Sequence, residues 1–206
     1  MCRYAEGFGV AARFHYITDI DFFSSTELIC AEKKNHCLRH VNLSLSPPET
    51  STFAGNCTVY GDADGHRLNT ARFFEPMYAE VDSNNSIVYV IDNNALTRFE
   101  QGTLRVVHLK TDNVTTLVTF DTRNYDMKIL GDSLLYLAQG NGVAVFNISS
   151  REENAIGSYK NGVAYGLLPW RNEVKTILLV ADIANKRFAN CSYKVMIKVF
   201  LLKILI

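Results

Sequence analysis

Leu28-Ile29-Cys30-Ala31-Glu32-Lys33-Lys34-Asn35-His36-Cys37-Leu38-Arg39-His40-Val41 reads as two short apolar runs joined by a polar turn. The first run ends in an acidic residue. Runs of this length, bounded by turn-forming residues, are the sequence form of β-strands. The same unit recurs at 88–94, with 104–109 following after the insertion 95–101, in weakened form at 135–147, and again at 178–188. Its aligned polar residues are Glu32, Asp92, Gln139 and Asp182, at spacings of 60, 47 and 43 residues. A period near 45, with one enlarged copy, is that of a four-stranded propeller blade.

Each copy fills out on both sides. An alternating strand precedes the first three, at 17–22, 77–82 and 127–130, and a further strand follows them, at 50–54, 114–118 and 154–158. Helical periodicity is nearly absent. One four-stranded sheet cannot bury both faces alone, and stacking sheets around an axis covers them. The fold class is therefore all-β: an incomplete β-propeller of about four blades, each a four-stranded antiparallel sheet. The blades fall near 14–60, 73–120, 124–160 and 165–200, within a partial propeller over 1–192.

The 206 residues carry 21 basic and 21 acidic side chains, for a formal net charge of zero, and 48% of them are hydrophobic. Such a composition excludes a wholly disordered chain. The charge balance argues against nucleic acid as a partner, because no basic excess neutralises phosphates. No run of 18 apolar residues occurs, so no membrane span is expected. At about 45 residues per blade the length falls short of the ~270 that six blades need, which points to a piece of a larger domain.

These residues resemble the NHL-repeat family. Asn35-His36-Cys37-Leu38-Arg39 after Glu32 looks like the signature that names the repeat, and Asp182-Ile183-Ala184-Asn185-Lys186-Arg187-Phe188 is a more degenerate match. Gly61-Asp62-Ala63-Asp64-Gly65, followed by Ala71-Arg72-Phe73-Phe74-Glu75-Pro76, resembles the stretch that joins such blades. Residues 6–14 repeat it without the proline. The resemblance covers about 6–188. It implies scaffold roles for Glu32, Asn35, His36, Leu38, Arg39, Asp92, Asp182, Asn185 and Arg187. In the motif, Asn suits a turn and tolerates a left-handed backbone, and Arg can return a charged hydrogen bond to the acid or to a carbonyl. The third copy departs from the pattern, with Gln139-Gly140-Asn141-Gly142 and neither acid nor arginine. Secreted animal proteins with this repeat often resemble the pattern around Cys37 and Cys57, which implies a disulfide between them; two free thiols are the alternative.

Five cysteines at irregular spacing fit neither a disulfide scaffold nor a zinc ribbon, and Cys30 reads as a buried small hydrophobe. Asn-x-Ser/Thr occurs at Asn42, Asn56, Asn84, Asn113, Asn147 and Asn190. Chance at this composition gives about two, so these are glycosylation candidates and an extracellular or lumenal location is expected. The first residues lack an apolar segment, which places a signal peptide upstream of Met1. Residues 193–206 read as an apolar strand or an altered tail; unpaired, that strand would be an aggregation hazard.

Candidate chemistry is sparse. His36 and His40, read on one strand, stand about 13 Å apart and cannot share a metal. Asp62 and Asp64 offer oxygen ligands of the kind calcium takes, yet lie where a blade junction uses Asp anyway. Asp19 and Asp21 share one strand face, as a carboxylate pair or as a solvated or channel-facing side. No GxSxG, HExxH or nucleotide fingerprint occurs. The expected function is a non-catalytic binding module with a protein or glycan ligand and no cofactor. The alternative is a propeller enzyme, a calcium-dependent lactonase or esterase or a zinc-dependent lyase.

Overall fold

The computed structural model describes residues 4–82, 84, 86–93, 101–130, 133–140, 142–158, 162–171, 176–184 and 195–202, with side chains through 156 and at 163, 164 and 166–168. The chain divides into two compact units, Met1–Asp121 and Thr122–Ile206. Apart from one 3-10 turn at Gly9–Ala11, every described regular element is a β-strand.

Unit 1 holds two sheets. The first is built from β1 (Gly7–Phe8), β2 (Ile17–Ser24), β3 (Glu27–Glu32), β4 (Cys37–Asn42) and β5 (Glu49–Gly55), in the order β1-β5-β4-β3-β2. The second is built from β6 (Gly65–His66), β7 (Pro76–Asp82), β8 (Ile87–Asn93), β9 (Gly102–His108) and β10 (Asn113–Phe120), in the order β6-β10-β9-β8-β7. Unit 2 holds a four-stranded sheet of β11 (Asn124–Ile129), β12 (Leu134–Gln139), β13 (Gly142–Asn147) and β14 (Glu152–Ser158). It also holds a three-stranded sheet of β15 (Gly162–Arg171), β16 (Thr176–Ala184) and β17 (Val195–Leu202). All pairings are antiparallel and, within each run of three or four strands, sequential neighbours pair. This is the up-and-down blade ladder of an all-β, incomplete propeller, and no sheet closes into a barrel.

Strand count differs from the uniform four expected. In unit 1 the linker ahead of each blade contributes a two-residue strand to that blade's outermost strand: Gly7 faces Thr50, and Gly65 faces Val114. At the C-terminal end, Val195–Leu202 pairs along β16 from Ile183↔Val195 to Thr176↔Leu202, so this apolar stretch has a partner on that edge.

The repeat is visible in the register itself. Glu32, Asp92, Gln139 and Asp182 lie opposite Ile17, Pro76, Asn124 and Ala164, and in each case the first strand then bulges by one residue. The bulge twists the strand's start away from the ladder. A second bulge recurs on the fourth strand against the third, at Phe53 of β5, Leu117 of β10 and Ile156 of β14.

The core of unit 1 lies between its two sheets. Ile29, Ala31, Leu38, Phe53 and Ala54 face Ala79, Val88, Val90, Val107 and Val114, with Ala71 and Phe73 of the linker buried in the same cluster. Gly55 shows how close this packing is. Its φ is +90°, and a Cβ there would stand 2.8 Å from Phe73 Cδ2. Unit 2 has its own core of Leu130, Tyr136, Ala138, Val143, Ala164 and Leu167. Replacing Phe73 by Ala deletes a fully buried ring from a site held by two sheets. Chemical denaturation is expected to show the transition that reports unit 1 destabilised by about 3–5 kcal/mol.

Candidate functional site

The signature residues converge on one buried cluster in the first sheet. Glu32 ends β3 and Arg39 lies on β4; their side chains are fully buried and meet at 3.1 Å. Glu32 Oε1 also accepts the Asn35 side-chain amide at 2.6 Å and the His15 backbone N–H. Arg39 donates further to the carbonyls of Ala5 (3.0 Å), Arg13 (3.2 Å) and Ser51 (3.3 Å), and its guanidinium lies over the Tyr4 and Phe14 rings. The pair therefore ties the incoming linker to the sheet. It satisfies polar groups that burial would otherwise leave costly.

Two details correct the sequence reading. The left-handed residue of the turn is His36, at φ 62°, and Asn35 is buried with its amide turned onto Glu32. His36 is thus a turn residue, not a strand neighbour of His40. Its Nδ1 meets the Phe74 carbonyl, while His40 Nε2 meets Glu27 at 3.1 Å.

The second sheet repeats the cluster with a residue that the signature did not flag. Arg105, fully buried on β9, reaches Asp92 at 3.5 Å, Asp64 at 2.8 Å, and the carbonyls of Ala63 and Arg72 at 3.0 Å each. Its guanidinium lies over Phe73 as that of Arg39 lies over Phe14. The signal was present in Leu104-Arg105, the counterpart of Leu38-Arg39, displaced by the insertion at 95–101. Asp92 accepts the Phe74 and Glu75 backbone N–H groups. Burial dominates its titration and, against those bonds and Arg105, pushes its pKa up to about 6.

In the third sheet the pair is gone. Gln139 bonds Asn124 and Glu153, and Ala144 occupies the register position that Arg39 and Arg105 hold. Asp182 keeps its register position, two residues before the end of the corresponding strand. Asn185, Arg187 and Asn190 lie outside the described residues.

Cys37 and Cys57 form a disulfide, with an S–S distance of 2.06 Å and Cα atoms 4.9 Å apart. Cys30 is a free, buried thiol, and burial pushes its pKa up to about 11. Beside the disulfide, Tyr60 stands between His36 and Phe74, with ring centroids 5.6 and 5.7 Å away. Lys33 and Lys34 reach Glu75 at 3.2 and 2.7 Å. Burial raises that carboxyl, but the two lysines outweigh it and hold it below the usual range.

The carboxylates considered as a catalytic pair are engaged in backbone contacts. Asp19 and Asp21 of β2 accept the N–H groups of Ala79 and Val81 on β7, at 3.0 and 2.8 Å. Asp21 also accepts its neighbour Phe22 N–H at 2.8 Å. Unit 2 repeats the device: Asp126 accepts Met127 N–H at 2.7 Å and Leu167 N–H at 2.7 Å. Edge-strand donors that no ladder can reach are satisfied from the neighbouring sheet. Asp64 is held by Arg105 and by Thr116 N–H at 2.9 Å, and Asp62 lines a cavity of about 200 Å³ with Asp92, Arg105 and Phe74. Among the described residues no three His, Cys, Asp or Glu side chains stand close enough to hold a metal ion.

A second, wider groove of about 360 Å³ opens between the two sheets of unit 1. Phe23 and Phe53 meet edge-to-face at 5.8 Å in its floor. Glu27 with His40 lines one side and Arg67 with Asp112, at 2.6 Å, the other.

All five described sequon asparagines reach the surface: Asn84 and Asn113 are exposed, and Asn42, Asn56 and Asn147 half-buried. Asn35, Asn93 and Asn124, none of which heads a sequon, are buried.

No protein-family model matches the chain, and no curated protein matches it. Among solved structures 39 chains do. One is a protein of unknown function from Bacteroides thetaiotaomicron, 12% identical with a TM-score of 0.57, the match covering 92% of this chain and 46% of that one. Another is the extracellular domain of a hybrid two-component system protein from the same organism, 12% identical with a TM-score of 0.51, covering 84% and 21%. At this identity the likeness is one of fold. The chain spans less than half the length of either.

Removing one partner of a buried ion pair leaves the other charge uncompensated. Glu32→Gln is expected to cost about 3–5 kcal/mol by denaturant titration. Loss of the disulfide, through Cys57→Ser, is expected to cost about 3 kcal/mol for a loop of this size. Asp92 supplies a pH signature. It keeps its proton to about pH 6 in the fold, against about 4 when unfolded. Its contribution is present in full below about pH 4 and is lost as pH rises through 6. The difference in stability between the natural chain and Asp92→Asn should therefore fall by about 2–3 kcal/mol across that window, as followed by denaturant titration at several pH values.

Proposed function

We propose that this chain is part of an NHL-type propeller that works as a non-catalytic binding module on the extracellular or lumenal side of the cell. One observation carries the reading. Five carboxylates that a propeller enzyme would aim at a metal or substrate are here bonded to the scaffold: Asp19, Asp21 and Asp126 to backbone amides of neighbouring strands, and Asp64 and Asp92 to Arg105. What unit 1 presents outward instead is contact surface, with Tyr16 and Tyr60 each more than half exposed. Tyrosine of this kind is enriched where proteins meet partners. The repeat of the acid–arginine cluster in two successive sheets, each fixed to a Gly/Asp/Ala/Phe linker, supports the NHL-type assignment. The disulfide and the surface placement of the sequons support the secretory location.

Two measurements test this on protein isolated from the cells that make it. Elemental analysis is expected to find no stoichiometric calcium or zinc; one bound ion per chain would favour the propeller-enzyme reading. Intact mass before and after removal of N-glycans, with and without reduction, is expected to shift in both comparisons. An unmodified chain with five free thiols would sink the secretory reading.

A further inference from the structure

The sequons of unit 1 are not spread evenly over it. β2 and β7 run side by side in the same direction, Asp19 beside Ala79 and Asp21 beside Val81. The strand ends of the two sheets therefore coincide, and unit 1 has two distinct ends. One carries the short connections β2–β3, β4–β5, β7–β8 and β9–β10. The other carries the β3–β4 turn and the two ends of the linker of residues 56–75, whose middle crosses to the first end, where His66 pairs with Asn113. Asn42 closes β4, Asn84 lies in the β7–β8 connection and Asn113 opens β10, so all three belong to the first end. Asn56, directly after β5, is the sequon of the second.

The asparagines at the two ends are themselves alike. Asn42 Oδ1 accepts Ser44 N–H at 3.0 Å and the Ser44 hydroxyl at 2.6 Å. Asn56 Oδ1 accepts Thr58 N–H at 3.1 Å and the Thr58 hydroxyl at 2.9 Å. Both are Asx turns that engage the carbonyl oxygen and leave Nδ2 for attachment. What differs is the residue between. Leu43 carries no covalent tie, whereas Cys57 is bridged to Cys37; burial alone does not separate the sequons, since Val114 after Asn113 is as buried in the folded sheet as Cys57. An extended, accessible segment is what a transferase can seize. Closing a loop back to an upstream cysteine removes the Asn56 segment from that state.

We propose that unit 1 is N-glycosylated on one end only, at Asn42, Asn84 and Asn113, and that the Cys37–Cys57 bridge withholds Asn56. The transfer replaces one Nδ2–H bond by a bond to the anomeric carbon of an oligosaccharide. The donor's carbon–oxygen bond to a lipid diphosphate breaks, that diphosphate leaves, and the displaced proton passes to a base of the transferase. The second end stays bare, with Tyr60, His36, Phe74 and Tyr16 open to a partner. The groove floored by Phe23 and Phe53 lies at the other end and is flanked by sugar, since Asp112 on its rim precedes Asn113. This rests on the secretory reading above.

The test is site-by-site occupancy, by peptide mass spectrometry, of the full chain directed through the secretory pathway of animal cells. Cys37→Ser and Cys57→Ser are run in parallel; the second keeps the sequon as Asn56-x-Thr58. Asn42, Asn84 and Asn113 are expected to be mostly occupied in all three chains. Occupancy of Asn56 is expected to be minor in the natural chain and to rise severalfold in both variants. Asn56 occupied in the natural chain as fully as the other three would overturn the one-ended pattern and leave the secretory reading standing. Asn56 bare in all three chains would overturn the role given to the bridge. Sugar absent from every site, here and in protein from its own cells, would remove the reading and the proposal together.

Discussion

A guanidinium buried against a carboxylate, with its remaining donors turned onto linker carbonyls, holds unit 1 together. Arg39 and Arg105 are each almost wholly out of water. Neither could be there without an acid beside it, because an unpaired charge in that position costs more than the fold has to spare. The constraint then propagates. The acid must end the second strand, the arginine must face it from the third, and the linker must pass close enough to offer two carbonyls and an aromatic ring. Glu32 with Ala5, Arg13 and Phe14, and Asp92 with Ala63, Arg72 and Phe73, meet the same conditions from different residues.

The two copies are not equivalent. Glu32 and Arg39 stand at 3.1 Å, and Asn35 completes the acid's coordination. Asp92 is one methylene shorter and stands 3.5 Å from Arg105, which makes its closest side-chain contact to the half-exposed Asp64 instead. The second arginine thus divides itself between a buried acid and one at the surface. Burial is the leading influence on Asp92 and pushes its pKa up to about 6. In the third sheet the exchange of acid for Gln139 and of arginine for Ala144 removes both charges together, which avoids a stranded ion.

Much of the architecture could be read from the chain. In the first three copies alternation and turn residues located the strands within two or three positions, because a period of two and a bounding Asn, Asp or Gly are local properties; the first strand of the fourth, β15, was not read. The repeat alignment of Glu32, Asp92, Gln139 and Asp182 reappears as one register position in four sheets. Less legible were features that depend on what comes near in space. Arg105 was hidden by an insertion that shifts its spacing. The roles of Asp19 and Asp21 were undecidable locally, since a carboxylate on an edge strand looks the same whether it faces water or the amide of another sheet. The linker's two-residue strands were too short to carry a pattern. The left-handed turn position expected of Asn35 falls to His36, and the Asn35 amide turns onto the buried acid, a contact that only the folded sheet reveals.

The carboxylate bridge from β2 to β7 has a use outside the fold. Ala79 and Val81 lie on an edge strand, where amides ordinarily face solvent and exchange quickly. Here their protons are held by Asp19 and Asp21 of another sheet. Exchange at these two amides is therefore blind to the ladder of their own sheet and sensitive to separation of the sheets. They are built-in reporters of whether neighbouring blades are docked, readable without any label.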